Sequence, residues 1–318
     1  MNAEVKQLSV EAAVLDVITY FAIFEVLVDL PRINALLPVK ASHLAVQAAV
    51  RELIRQRKVQ RLGDGYGLTQ LTYAGAEKRA AHREELLRRA RKAGKLIGLL
   101  PFVKAVVVVN SVAIGNVHAN SDVDLLIVTT PGRVFVAKGL LWRLMKLTRQ
   151  LETEERKAGR FSLGMFLTTR GIIFERDTMK QNEPHLMYWL MTAVPVYGDR
   201  RWYEILQASA YVRSHAPNYL WPRGGRSIDR SGWKQLDALD DRGYKIHLKH
   251  TSQQEKNHTP EAFVRVRPDI INLHAQDASR GIAERWHKLR GTWVEPDTQL
   301  TPLRATDSPQ ETPKKKKK

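Results

Sequence analysis

The chain has 318 residues, with 51 Lys+Arg against 33 Asp+Glu and no cysteine. That length allows about two or three modules, and 43% apolar with 26% charged residues is the balance of a protein with a packed core. The missing cysteines exclude disulfides, thiolate metal sites and cysteine nucleophiles, and suit a cytoplasmic setting.

A net charge of +18 invites a polyanionic partner, nucleotide or nucleic acid. Setting aside the terminal Lys314 to Lys318 still leaves about +13. The most apolar N-terminal run, Ala12 to Leu30, carries Asp16, Glu25 and Asp29, so it reads as neither signal peptide nor membrane span.

In chain order, Val14, Ile18 and Phe21, with Val17 and Phe24, predict a buried helix over 10–25. A short helix follows near Pro31–Leu37, with Pro31 in its first turn. Ser42 caps a third helix reaching Arg57, with Leu44, Ala48, Leu53 and Ile54 as its apolar face. VQRLGDGYGLT then predicts a hairpin around Gly63-Asp64-Gly65. Three helices and a hairpin are the parts of a winged helix. The third helix would be its recognition helix, although its arginines lie toward the C-terminal end; packing or dimerisation is the alternative role.

Ala74 to Gly98 predicts a helix crowded with Lys78, Arg79, Arg83, Arg88, Arg89, Arg91, Lys92 and Lys95, either a solvated face or a phosphate-facing one. Val103–Val109 reads as a strand buried on both faces, and Val123–Val128 as a second. Arg133–Leu147 follows as a helix, then Phe161–Leu167 and Ile172–Glu175 as a hairpin. Beyond Val196 the expected structure is mostly helical, clearest over Trp202–Arg213 and Ala275–Leu289.

Chemistry concentrates between the two strands, in NSVAIGNVHANSDVDLLIV. Asp122 and Asp124 share one face because side chains alternate along a strand. Ser111 opens a small-residue turn after a buried strand, where N–H groups and a hydroxyl can cradle phosphate oxygens. Carboxylates eleven residues later are hard ligands for Mg²⁺ (or Mn²⁺) held jointly with those phosphates. Arg133 and Lys138 read as helix-surface charge, His118 as an exposed loop residue, and Trp142, Trp189 and Trp202 as core. His247, His250 and His258 show no zinc framework.

That block resembles the G-S-x-A-x-G…S-D-x-D-L motif of the nucleotidyltransferase superfamily, the polymerase-beta-like fold. More narrowly, TYFAIFE, SDVDLLIVTTPGR, VPVYG and APNYLW make the chain look like uncharacterised bacterial proteins with an N-terminal winged-helix-like segment, over roughly residues 10–222. The resemblance implies triphosphate binding by Ser111, the turn glycine at Gly115, Ser121 in the nucleotide site, and catalytic metal binding by Asp122 and Asp124. Two departures stand out. Asn110 replaces the usual glycine, and Phe161–Leu167, the strand expected to supply a third carboxylate, has no acid; Glu175 is the candidate substitute.

The expected fold is therefore α+β. It comprises a winged-helix-like module (1–73), a mixed-sheet nucleotidyltransferase domain (74–198), a helical C-terminal region (199–300) and a disordered Lys-rich tail (301–318). The expected activity is transfer of a nucleoside monophosphate from an NTP to a hydroxyl or amine. A degenerate domain acting as a nucleic-acid-binding or regulatory module is the alternative.

Overall fold

The computed structural model describes residues 8–100, 102–153, 155–169, 184–220, 236–255, 265–272 and 278–292. Helix α1 (Val10–Ala22) starts at Ser9, whose hydroxyl accepts from the Ala12 amide at 3.2 Å. Its residues from Ala13 to Ala22 are all buried, as expected of a helix apolar on every side. Strand β1 (Val28–Asp29) leads into α2 (Leu30–Leu36), with Asp29 as cap and Pro31 in the first turn.

Ser42 caps α3 (His43–Arg55). The buried face of α3 is Val46, Ala49, Val50 and Leu53, not the expected stripe; Leu44 and Ala48 face outward. Leu44 and Leu53 are nine residues apart, half a turn out of phase, so one face cannot hold both. Strands β2 (Val59–Leu62) and β3 (Gly65–Leu68) form the hairpin, and β1 joins it in the order β1-β3-β2.

After α4 (Ala76–Ile97) come β4 (Val103–Val108), the five-residue α5 (Asn110–Ile114), β5 (Val123–Thr129), α6 (Val134–Leu147) and β6 (Phe161–Thr168). Then follow α7 (Pro184–Thr192), β7 (Val194–Tyr197), α8 (Asp199–Ala208), α9 (Ala210–His215), α10 (Asp237–Glu255), β8 (Arg265–Arg267), β9 (Ile270–Asn272) and α11 (Ala278–Gly291). Among the described residues the main sheet runs β7-β4-β5-β6-β9-β8. Among these described strands β5 and β6 are the parallel pair, joined by the α6 crossover, and the other pairs are antiparallel.

The class is α+β. The described residues of 199–300 are mostly helical, as expected, and β8 and β9 add two short strands that extend the sheet beyond β6. At three residues each, they were too short to leave a periodic pattern. The helix expected over Trp202–Arg213 breaks at Ser209, which is extended and caps α9. The Ile172–Glu175 arm and the tail 301–318 lie outside the described residues.

Alternation splits the strands of the sheet between two cores. Ala105, Val107, Leu126 and Val128 pack with Val14, Phe21, Leu53 and Leu68 of the N-terminal elements. Val106, Val108, Leu125 and Ile127 pack with Leu87, Ile97, Phe135 and Leu141 from α4 and α6. The N-terminal helices and the sheet therefore share one apolar layer. Among the described residues no helix is long and apolar enough to cross a membrane.

Candidate active site

The DxD motif sits at the N-terminal lip of β5, where parallel pairing sets Asp124 beside Ser162 of β6. Burial, and then Asp122, push the Asp124 carboxyl up to about 6, against hydrogen bonds from Asn110 and Ser162 that favour its ionised form. Asn110 has φ +58, the left-handed conformation that asparagine tolerates better than most residues. Its side chain does not point freely at an incoming phosphate. Oδ1 accepts from the Trp189 indole N–H at 2.8 Å, while the same amide contacts Asp124. Trp189 is half-buried; it packs against the apolar core, as expected, and makes this bond as well.

Ser111 is half-buried in the first turn of α5, one residue from this asparagine. Gly115 ends α5 at φ +111, a conformation that disfavours any side chain. Two arginines hold the C-terminal end of α5. Arg32 donates to the carbonyls of Ala113 (3.2 Å) and Ile114 (3.3 Å), and Arg83 to those of Val112 (2.8 Å) and Ala113 (3.1 Å). Cations at a helix C-terminus complement its orphan carbonyls. Burial, then Arg83, push the Arg32 guanidinium down to about 10, and its plane lies 4.5 Å from the Phe21 ring centroid. The N-terminal module thus positions the helix that carries Ser111.

Ser121 closes the loop before the aspartates. Its hydroxyl accepts from the His118 amide at 2.8 Å, and its carbonyl accepts from Gly159 at 2.7 Å. His118 is exposed, as expected.

A third carboxylate is present, though not where the sequence pattern looked for it. Glu152 follows α6, and its amide donates to the Phe161 carbonyl at 3.0 Å. That pairing brings it to the start of β6, beside the DxD lip. Burial, then Asp122, raise the Glu152 carboxyl, which shares a hydrogen bond with Asp122 and also feels Asp124. Glu175, the expected candidate, lies outside the described residues. Glu152 could be found only by knowing that β5 and β6 are parallel, because a crossover returns the chain to the same sheet end. Local spacing around LETEER carries no such signal.

Two further expectations change. Arg133 and Lys138 are not surface charges. Arg133 is buried and paired with Asp237 at 2.6 Å. Lys138 is buried under α6, with Nζ 3.4 Å from the Leu163 carbonyl and 5.5 Å from the Phe166 ring centroid; burial pushes its amine down to about 8. Trp142, expected in the core, is 42% exposed. Both Lys138 and Trp142 line a cavity of about 550 Å³ with Glu152, Ser162 and His247.

Among the described residues no three His, Asp or Glu side chains form a ready-made cage for a metal ion. The donor chemistry nevertheless suits a hard divalent cation. A hydrogen bond between two carboxyl groups needs a proton between them, and a cation would replace that proton while relieving the repulsion on Asp124. Comparison of the chain with family models, with curated proteins and with solved structures gives no match in any of the three.

Proposed function

We propose that the chain is a divalent-metal-dependent nucleotidyltransferase of the polymerase-beta-like kind, preceded by a winged-helix-like module. The observation that supports it most is the meeting of Asp122, Asp124 and Glu152 where β5 and β6 begin, beside the turn bearing Ser111. Asp122 and Asp124 would hold Mg²⁺ or Mn²⁺, which supplies charge neutralisation on the polyphosphate. Ser111 and the α5 turn bind phosphate oxygens. Glu152 accepts the proton of the acceptor hydroxyl; the acceptor oxygen then bonds to the α-phosphorus as the bridge to the β-phosphate breaks, and pyrophosphate leaves.

The test is incubation with each α-labelled NTP, Mg²⁺ or Mn²⁺ and candidate acceptors, beside Asp124→Asn and Glu152→Gln. Labelled product from the wild type and none from Asp124→Asn supports the reading. Equal Mg–nucleotide affinity for wild type and Asp124→Asn in calorimetry overturns it.

A second reading, an inert domain that binds nucleic acid, draws support from α4, which exposes Lys78, Arg88, Arg91, Lys92 and Lys95. It requires DNA or RNA binding that weakens steeply with salt, as phosphate contacts release counterions.

A further inference from the structure

We propose that the 550 Å³ cavity between α6, α10 and the first half of β6 is the acceptor pocket, and that its acceptor is a small hydroxyl compound carrying a phosphate monoester. This rests on the nucleotidyltransferase reading and adds the substrate class to it.

Topology supplies the first argument. Ser111 follows β4, on one side of β5, whereas the cavity runs along β6, on the other side. Asp122 and Asp124 lie between them. In-line displacement at phosphorus puts attacking and leaving oxygens on opposite sides. Pyrophosphate leaving toward the Ser111 turn therefore places the attacking hydroxyl on the β6 side, where Glu152 forms a wall of the cavity.

The lining supplies the second argument. Lys138 is nine-tenths buried, with a carbonyl and an aromatic face as neighbours and, among the described residues, no carboxylate paired to it. A buried ammonium without an anion is unfavourable, and an anionic ligand reverses that. Arg143 lines the same space, so two cationic groups meet an anion that enters it. A phosphate monoester, with its double charge and several acceptor oxygens, matches them better than a single carboxylate. Polycationic acceptors are disfavoured by the same residues. Trp142, exposed on α6, and Leu163 offer apolar surface for the rest of the molecule.

On the other side of β6, strand β9 pairs only from Met165 to Leu167. Leu151 bridges Phe161 at the start of the strand, so among the described residues Ser162 to Gly164 border the cavity with β5 as their strand neighbour.

The experiment is calorimetric titration of the full chain in EDTA, which keeps the metal site unloaded. The probes are ribose 5-phosphate, ribose, gluconate and inorganic sulfate, applied to wild type, Lys138→Met and Arg143→Gln. Saturable binding of ribose 5-phosphate, with no binding of ribose and weaker binding of gluconate, is expected. Lys138→Met and Arg143→Gln should each weaken it by about tenfold or more. Lys138→Met removes a desolvated charge and should fold at least as well as wild type, while Arg143 is exposed, so folding does not confound the comparison. Equal affinity in wild type and Lys138→Met, equal binding of sulfate, or no binding of ribose 5-phosphate overturns the proposal. If the pocket binds as expected but the wild type transfers no labelled nucleotide, the enzymatic reading fails instead, and the pocket stands as a phosphate-ester site.

Discussion

Glu152 and Asp122 lie at opposite ends of the α6 crossover, yet their carboxyl groups share a hydrogen bond. Lys157, 3.7 Å from Glu152, is too exposed to offset the crowding by much. Glu152→Gln keeps the shape and lets an amide donate to Asp122 in place of the proton. Transfer of NMP from NTP should fall by about a hundredfold or more, while the thermal midpoint at pH 8 without divalent ions stays level or rises. Initial rates at saturating Mn²⁺ and a melting curve check both halves.

Asp124 gives stability a pH dependence of definite sign. Its folded carboxyl is raised from the ordinary 3.8 to about 6, so the folded state binds the proton more tightly than the unfolded one. Its favourable contribution is full below about pH 4 and is lost as pH climbs through 6. A shift of about two units corresponds to about 3 kcal/mol, as an order of magnitude. Asp124→Asn should therefore stabilise the metal-free protein at pH 8 and leave it unchanged at pH 3.5–4. Urea denaturation at the two pH values reads this directly. Adding Mg²⁺ should stabilise the wild type and leave Asp124→Asn unmoved.

Arg32, on α2, bridges two carbonyls of α5. Arg32→Ala should cost about 1–3 kcal/mol by stranding the Ile114 carbonyl, since Ala113 keeps Arg83, and should also weaken nucleotide binding by loosening the Ser111 turn. Arg32→Lys should not restore either property, because an ammonium lacks the planar fork that spans both oxygens. Urea midpoints and nucleotide titrations on the two variants decide the matter.

Asp16 and Arg290 form an ion pair of 2.7 Å between α1 and α11, with both groups largely buried. The Trp286 indole donates to the Asp16 carbonyl at 3.2 Å alongside it. Asp16→Ala removes the carboxylate from a buried guanidinium and should destabilise by about 3 kcal/mol or more. Asp16→Leu combined with Arg290→Met should recover most of that loss. Chemical denaturation of the single and double variants forms the test.

Much of the frame was legible because it is written in local terms. Ser42, Asp29 and Pro31 mark helix starts by their own chemistry, and the valine run of β4 declares a strand covered on both sides. Glu152 was hidden because its place depends on strand direction, a property of the whole sheet. Lys138 was hidden for a related reason: a lysine on an amphipathic helix reads as solvated until α10 and β6 close over it. β8 and β9 acquire their meaning only from the edge of β6 that they extend.

The apolar layer shared by Phe21, Leu53, Val107 and Leu126 has a mechanical consequence. Separating the first seventy-odd residues from the rest would bare greasy surface on both fragments, so each should precipitate where the intact chain stays dispersed. Heating should accordingly produce one cooperative melting step across both regions. Any molecule that grips the N-terminal helices also tugs, through Arg32, on the turn that holds Ser111.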